Sequence, residues 1–317
     1  MTRKVSFVST GIVLCIASGA GYADSPAPGF ADPVLGRWDL AVQGTNGPYP
    51  SWLEVRLRTE TELMGRLVGQ FGSVRHATGV DFENGQLTVV VPPQYERGDA
   101  DLVFIGKLDN GTLSGQVSMA DGKLHNWRGE RAPGLEREDA VTWSEPQTLI
   151  GDDLGGWRAR DDRYPGCWAV ADGVLKSTPP CVDIITEAEF DDFRLQVEFR
   201  YPPGSNSGVY LRGRYEVQIQ DDLGKPPDPL RMGGVYGFLR PKVDAAKPPG
   251  EWQTYDITLI GRRVTVVLNG MEVLSNRVIP GITGGALESE EGSSGPLMLQ
   301  GDHGPIEFRN IVLTPVR

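Results

Sequence analysis

The chain has 317 residues, 31 of them basic and 42 acidic, for a formal charge of −11. A hydrophobic content of 39% excludes wholesale disorder, and the length fits about two domains. The acidic balance argues against nucleic acid or an anionic membrane as partner, and 41 glycines with 24 prolines favour turns and short strands over long helices.

The first segment reads as an export signal. Arg3 and Lys4 precede a largely apolar stretch from Val5 to Gly19, and Gly21-Tyr22-Ala23 offers small residues at both cleavage positions. Removal of residues 1–23 would leave a charge of −13 and a soluble exported protein, periplasmic or extracellular, without membrane contact. Cys15 leaves with that segment. Cys167 and Cys181 remain, an even pair in an oxidising compartment, and are expected to form a disulfide across the turn-like Ala171-Asp172-Gly173. Residues 24–34 read as a linker.

Residues 35–133 alternate in short runs. Trp38, Leu40 and Val42 alternate, as do Leu53, Val55 and Leu57; Leu67–Phe71, Leu87–Val91, Leu102–Ile105, Leu113–Val117 and Leu124–Trp127 follow. Asn46-Gly47, Asn84-Gly85, Asn110-Gly111 and Asp121-Gly122 separate them. Such dipeptides favour hairpins, because type I′ turns need positive φ at both central residues. About seven or eight strands predict a small up-and-down antiparallel barrel or sandwich.

Arg131 to Asp139 reads as a second linker. From residue 141 to 317 the strongest strand signals are Phe193–Arg200, Gly208–Gln220, Gln253–Ile260, Val264–Leu268, Leu297–Gln300 and Ile306–Leu313. No helix-period stretch appears, so parallel βαβ units are excluded. The fold class is all-β, with a C-terminal jelly-roll sandwich that has one concave face.

The richest segment is Asn206–Asp222. Read as one strand, it carries Val209, Leu211, Tyr215, Val217 and Ile219 on one face and Tyr210, Arg212, Arg214, Glu216, Gln218 and Gln220 on the other. A dense donor and acceptor face of this kind suits a sugar cleft, with Tyr210 as a stacking plane. Arg212 and Arg214 are expected to keep Glu216 ionised and available as a base. Asp221 and Asp222 at the strand end would hold a metal or cap a turn. Among three histidines, His76 and His125 read as surface residues, whereas His303 sits in the loop-like Gln300-Gly301-Asp302-His303-Gly304 and is the better acid or base. Trp157, Trp168, Tyr236 and Trp252 are further stacking candidates, with Tyr236 the most exposed by its glycine-rich setting. There is no P-loop, no G-x-S-x-G elbow and no H-E-x-x-H, and the closely paired acids of concanavalin-type glucanases are missing.

Residues from about Val141 to Pro315 resemble the 3-keto-disaccharide hydrolase family of concanavalin-like jelly rolls. The resemblance rests on W-x-V-x-D-G-V-L at Trp168–Leu175, T-E-x-E-F-D-D-F-R-L at Thr186–Leu195 and N-S-G-V-Y-L-R-G-R-Y-E-V-Q-I-Q-D at Asn206–Asp221. P-G-E-W-Q-T-Y-D at Pro249–Asp256, I-P-G-x-T-G-G-A at Ile279–Ala286 and L-Q-G-D-H-G-P-I-E-F-R-N-I at Leu299–Ile311 add to it. It implies an enzyme acting on a small carbohydrate already oxidised at C3, by C2 deprotonation, β-elimination and water addition. Glu216 and His303 would then share the base and acid roles, and Arg212 would stabilise the enolate oxygen. Asn206, Gln218, Tyr236 and Gln300 would hold hydroxyls. A divalent metal on Glu216, Asp221 or His303 is left open. The alternative is a non-catalytic carbohydrate-binding protein using the same face.

Overall fold

The computed structural model describes residues 33–137 and 141–317; the signal-like residues 1–23 and most of the first linker lie outside the described residues. Nine strands fill the first block: β1 (Gly36–Gly44), β2 (Gly47–Leu57), β3 (Leu63–Val68), β4 (Arg75–His76), β5 (Gly79–Glu83), β6 (Gln86–Val91), β7 (Leu102–Asp109), β8 (Thr112–Ser118) and β9 (Leu124–Arg131). They pair antiparallel in the order β4-β3-β2-β1-β9-β8-β7-β6-β5. The sheet curls until β3 meets β5, where a Cβ on Gly65 would lie 2.9 Å from Val80. Alternate residues, among them Trp38, Leu40, Val55, Val89, Leu113 and Trp127, fill the barrel, as the period of two dictates.

The second block holds β10 (Gln147–Thr148), β11 (Trp157–Ala159), β12 (Trp168–Ala171), β13 (Val174–Ser177), β14 (Ile184–Phe190), β15 (Phe193–Arg200), β16 (Asn206–Leu211), β17 (Tyr215–Gln220), β18 (Gln253–Ile260), β19 (Arg263–Leu268), β20 (Met271–Val278), β21 (Gly295–Leu299) and β22 (Glu307–Pro315). One sheet runs β12-β13-β22-β15-β18-β19-β20, with β10 also on β22, and the other runs β11-β14-β21-β16-β17. This is the expected all-β jelly roll. Phe193, Leu195 and Val197 of the larger sheet meet Val209, Leu211, Val217 and Ile219 of the smaller in one core. Cys167 and Cys181 are disulfide-bonded, with Cα atoms 5.3 Å apart, and close the β12–β13 hairpin.

Asn84-Gly85, Asn110-Gly111, Asp172-Gly173 and Asn269-Gly270 have positive φ at both residues, as type I′ turns require. Asn46-Gly47 and Asp121-Gly122 differ: only their glycines are left-handed. The larger correction concerns Gly208–Gln220, which is a hairpin and not one strand. Arg212 (φ 53°) and Gly213 (φ 65°) turn the chain, and the register pairs Leu211 with Tyr215 and Tyr210 with Glu216. Gly213 suits this place twice over, since it is left-handed and a Cβ there would lie 2.7 Å from Leu287.

The two blocks are packed together. Trp52 and Val68, on β2 and β3, belong to the sandwich core, and the Trp52 ring stands edge-on to Phe238 with centroids 5.3 Å apart. Any side chain on Gly281 would collide with that indole. Gly285 N donates to Gln70 O at 2.9 Å, and Arg262 Nε donates to Pro133 O at 3.0 Å.

Candidate active site

On β16 and β17 the residues between the core positions point out of the sandwich. Tyr210, Glu216 and Gln218 therefore share the outer face of the smaller sheet with Met298 and Ile185. Loops after β17 and β20, the loop after β21 and the rim of the first block wall this face into a cavity of about 380 Å³. Asn206, Tyr210, Glu216, Gln218, Tyr236, Gln300 and His303 all line it. Residues far apart in the chain thus converge, because β21 lies beside β16.

Glu216 is 3% exposed. Its carboxyl fits because Gly208, on the facing strand, has no side chain; a Cβ there would come 2.5 Å from Oε1. Burial pushes the carboxyl up to about 8. The expectation of an ionised Glu216 flanked by arginines is therefore corrected: Arg212 and Arg214 sit in the turn, not on this face. Tyr210 Oη lies 3.0 Å from Glu216 Oε2 and 2.9 Å from Gly284 O. The phenol has one proton for two acceptors. A protonated Glu216 resolves this as a relay, carboxyl to phenol to carbonyl. Tyr210, 2% exposed, is a member of that relay and not a stacking plane.

His303 Nδ1 is bonded to the Asp302 carboxylate, which raises the imidazole above its ordinary value; Asp302 is lowered although burial opposes it. This pairing leaves Nε2 to act on a substrate. Two residues absent from the sequence-based site are also present. Arg160, just after β11, donates to Asp183 Oδ2 at 2.9 Å and to Gly285 O at 3.0 Å. Asp183 also accepts from Gly301 N at 3.1 Å and is raised, first by burial. Gln300 Oε1 is buried without a protein partner, so it remains to accept a ligand hydroxyl. The Gln218 amide is held by main chain, donating to Leu230 O at 3.3 Å and accepting from Ile219 N at 3.0 Å.

Arg212 does not reach the cavity. Its guanidinium is fully buried and donates to Asp191 Oδ1 (2.9 Å), Gly261 O (3.0 Å) and Tyr215 Oη (3.2 Å). Arg214 likewise serves the carbonyls of Ser293 and Ser294. Asp221 caps a turn, accepting from Gly204 N at 2.8 Å, and of the three candidate ligands only Glu216 and His303 line the cavity. Among the described residues no group of three or more His, Cys, Asp or Glu side chains is placed to hold a metal ion. Trp157 and Trp168 are core residues, and Trp252 is covered by Arg200 and Arg309. The aromatic rings exposed at the cavity are Phe71 and Tyr95, from the first block. No local pattern marks Arg160, Phe71 or Tyr95; Asp302 was within sight beside His303.

A jelly roll that turns ionisable and amide side chains outward into a walled cleft is a frame that suits carbohydrate, and the family match places the chain in the class of carbohydrate-active enzymes. Residues 145–314, more than half of the 317, match the model of the 3-keto-alpha-glucoside-1,2-lyase-like domain, and the chain belongs to that family. Among solved structures, it is similar to two provisionally assigned glycosyl hydrolases from Parabacteroides distasonis. One is 28% identical, covering 56% of this chain and 92% of that one with a TM-score of 0.47. The other is 29% identical, covering 54% and 98% with a TM-score of 0.43. A carbohydrate-binding module from Bacillus subtilis is 15% identical, covering 50% and 94% with a TM-score of 0.35. The comparison with curated proteins finds no match.

Proposed function

We propose that the protein cleaves 3-keto-glycosides by elimination across C1 and C2. A ketone at C3 acidifies the C2 proton. His303 Nε2, oriented by Asp302, takes that proton, and the electron pair becomes the enolate C2=C3–O⁻. Arg160 is the cation beside which this oxyanion would form. When C3=O re-forms, the pair moves into C1=C2 and the C1–O bond breaks, while Glu216 gives its proton to the departing oxygen. The products are a 2-hydroxy-3-oxo-glycal and the free leaving-group alcohol. Addition of water at C1 with protonation at C2 then yields the 3-keto sugar. Gln300, Asn206 and Tyr236 would hold hydroxyls.

The single observation that carries this reading is the convergence of a protonation-prone Glu216 with the His303–Asp302 pair in one cavity. Elimination needs one base, one acid and one oxyanion partner, and does not need two opposed carboxylates. The signal-like residues 1–23 and the Cys167–Cys181 disulfide support export to an oxidising compartment.

The test is incubation with a 3-keto-glucoside and with its unoxidised parent. Turnover of the oxidised compound alone, with a primary isotope effect from deuterium at C2, is the expected outcome. Cleavage of the parent, or turnover with the C2 label fully retained and no isotope effect, overturns elimination. Binding without turnover makes the protein a sugar-binding module.

A further inference from the structure

A second hollow, of about 430 Å³, opens at the mouth of the first block's barrel, walled in part by Gln70, Glu96, Arg97, Asp121 and Lys123. It shares Phe71 and Tyr95 with the active-site cavity. A ligand passing from one hollow to the other must cross those two rings. Phe71 is 54% exposed and Tyr95 66%, whereas Trp38, Phe104 and Trp127 of the same block are buried. Single exposed aromatics are ordinary. These two stand at the junction of the two hollows, and the loop that carries Tyr95 is pinned.

The support is specific. Arg75, itself 8% exposed, forks onto both oxygens of Glu96 at 2.8 and 3.0 Å, tying β4 to the loop after β6. Glu96 Oε2 accepts from Gln94 N (2.8 Å) and Tyr95 N (3.2 Å), which fixes the backbone that presents the tyrosine. Gln94 Nε2 donates to Ser73 Oγ at 3.0 Å. Tyr95 packs over Gly72, where a Cβ would lie 2.6 Å from its ring.

We propose that the first block supplies a leaving-group subsite, and that the substrate is a 3-keto-oligosaccharide with at least two further sugar units. The first unit stacks across Phe71 and Tyr95, and the next enters the barrel mouth. Aromatic rings suit the C–H faces of a pyranose, and the mouth suits its hydroxyls. Glu96 is taken by Arg75, and Asp121 by Lys123 at 2.9 Å, so among the lining side chains Arg97 is the cation left to donate to a sugar hydroxyl. This rests on the proposed function for the identity of the sugar in the first cavity, and on nothing else in it.

The intact chain is assayed on 3-keto-glucosides whose leaving group is methanol or one, two or three glucose units. The wild type is expected to prefer the longest over the methyl compound by about tenfold or more in kcat/KM, an increment the size of one good contact. Tyr95→Ala and Arg97→Ala are expected to shrink that preference through KM. No dependence on leaving-group length in the wild type, or an unchanged preference in both variants, overturns the proposal. Calorimetry with unoxidised gluco-oligosaccharides reads the subsite without any turnover. Affinity should rise with length and lose that rise in Tyr95→Ala; affinity independent of length overturns the subsite. Failure of all 3-keto-glucosides to react, with length-dependent binding intact, would overturn the elimination chemistry and leave the subsite standing.

Discussion

Gly208 and Glu216 show how little separates a buried carboxyl from a misplaced one. A methyl group at 208 would press on the Glu216 side chain from Cγ (2.8 Å) to Oε1 (2.5 Å), and a side chain gives way more easily than backbone. Gly208→Ala should therefore cost little in thermal stability, yet lower kcat/KM by about 100-fold, as small displacements of catalytic groups do. Equal losses in both would make the glycine merely structural. The pH profile belongs to this scale as well. His303 must be neutral to act as base, and its value is raised above 6.5; Glu216 must keep its proton, which it loses at about 8. Activity should rise through the first value and fall through the second. Each group feels the other's charge, so the two limbs describe the pair. Glu216→Gln should abolish the alkaline limb and lower kcat by about 10²–10⁴-fold. Residue types pointed to Glu216 and His303 from the sequence alone. The roles proposed for them could not be divided from the sequence, because that proposal draws on the burial of Glu216 and on the bond of His303 to Asp302.

The β16–β17 hairpin explains why a correct face was read from a wrong element. Its connection has three residues, so even-numbered positions stay on one face in both arms and the alternation runs through the turn unbroken. Only the residues in the turn itself change role. Arg212-Gly213 has no Asn or Asp to announce a turn, and nothing in the alternation shows that Arg212 leaves the face. Arg212→Ala should destabilise by about 2–3 kcal/mol through lost charge-assisted hydrogen bonds, while folded protein keeps its kcat. Arg160→Ala should lose about 10²–10³ in kcat in protein that still folds, along with some melting temperature from its lost bond to the buried Asp183. Paired melting and rate measurements on both variants decide between the two arginines. The β12–β13 hairpin was easier to read, since Asp172-Gly173 and the two cysteines give independent cues to one closure.

At the scale of the whole molecule, a buried ionic cluster spans the seam between the blocks. Arg262 donates to Glu291 Oε1 at 2.8 Å, Tyr215 Oη donates to Glu291 Oε2 at 2.6 Å, and Asp39 of β1 sits against the same glutamate. Burial, then the Glu291 charge, raises Asp39 to about 9. A folded value above the unfolded one near 3.8 gives stability that is complete in acid and declines as pH rises toward 9. Asp39→Asn should flatten that decline, so its gain over the wild type in urea unfolding should be larger at pH 8 than at pH 5. Equal differences at both pH values would remove Asp39 from the seam's titration. Linkers and turn spacing gave the expectation of two β blocks. Their union was not legible there, because Trp52 lies in an alternating strand like any other outward residue and its partners Gly281 and Phe238 are some two hundred positions away.

That indole has a thermal consequence. A ring rooted in one block and enclosed by the other couples their melting, so calorimetry should record a single endotherm whose van't Hoff and calorimetric enthalpies agree. Trp52→Ala would leave a void of aromatic size at the joint, costing about 3–5 kcal/mol, and should split the trace into two peaks. A wild-type trace already resolved into two would mean that the indole is a guest in the neighbouring core and not a rivet.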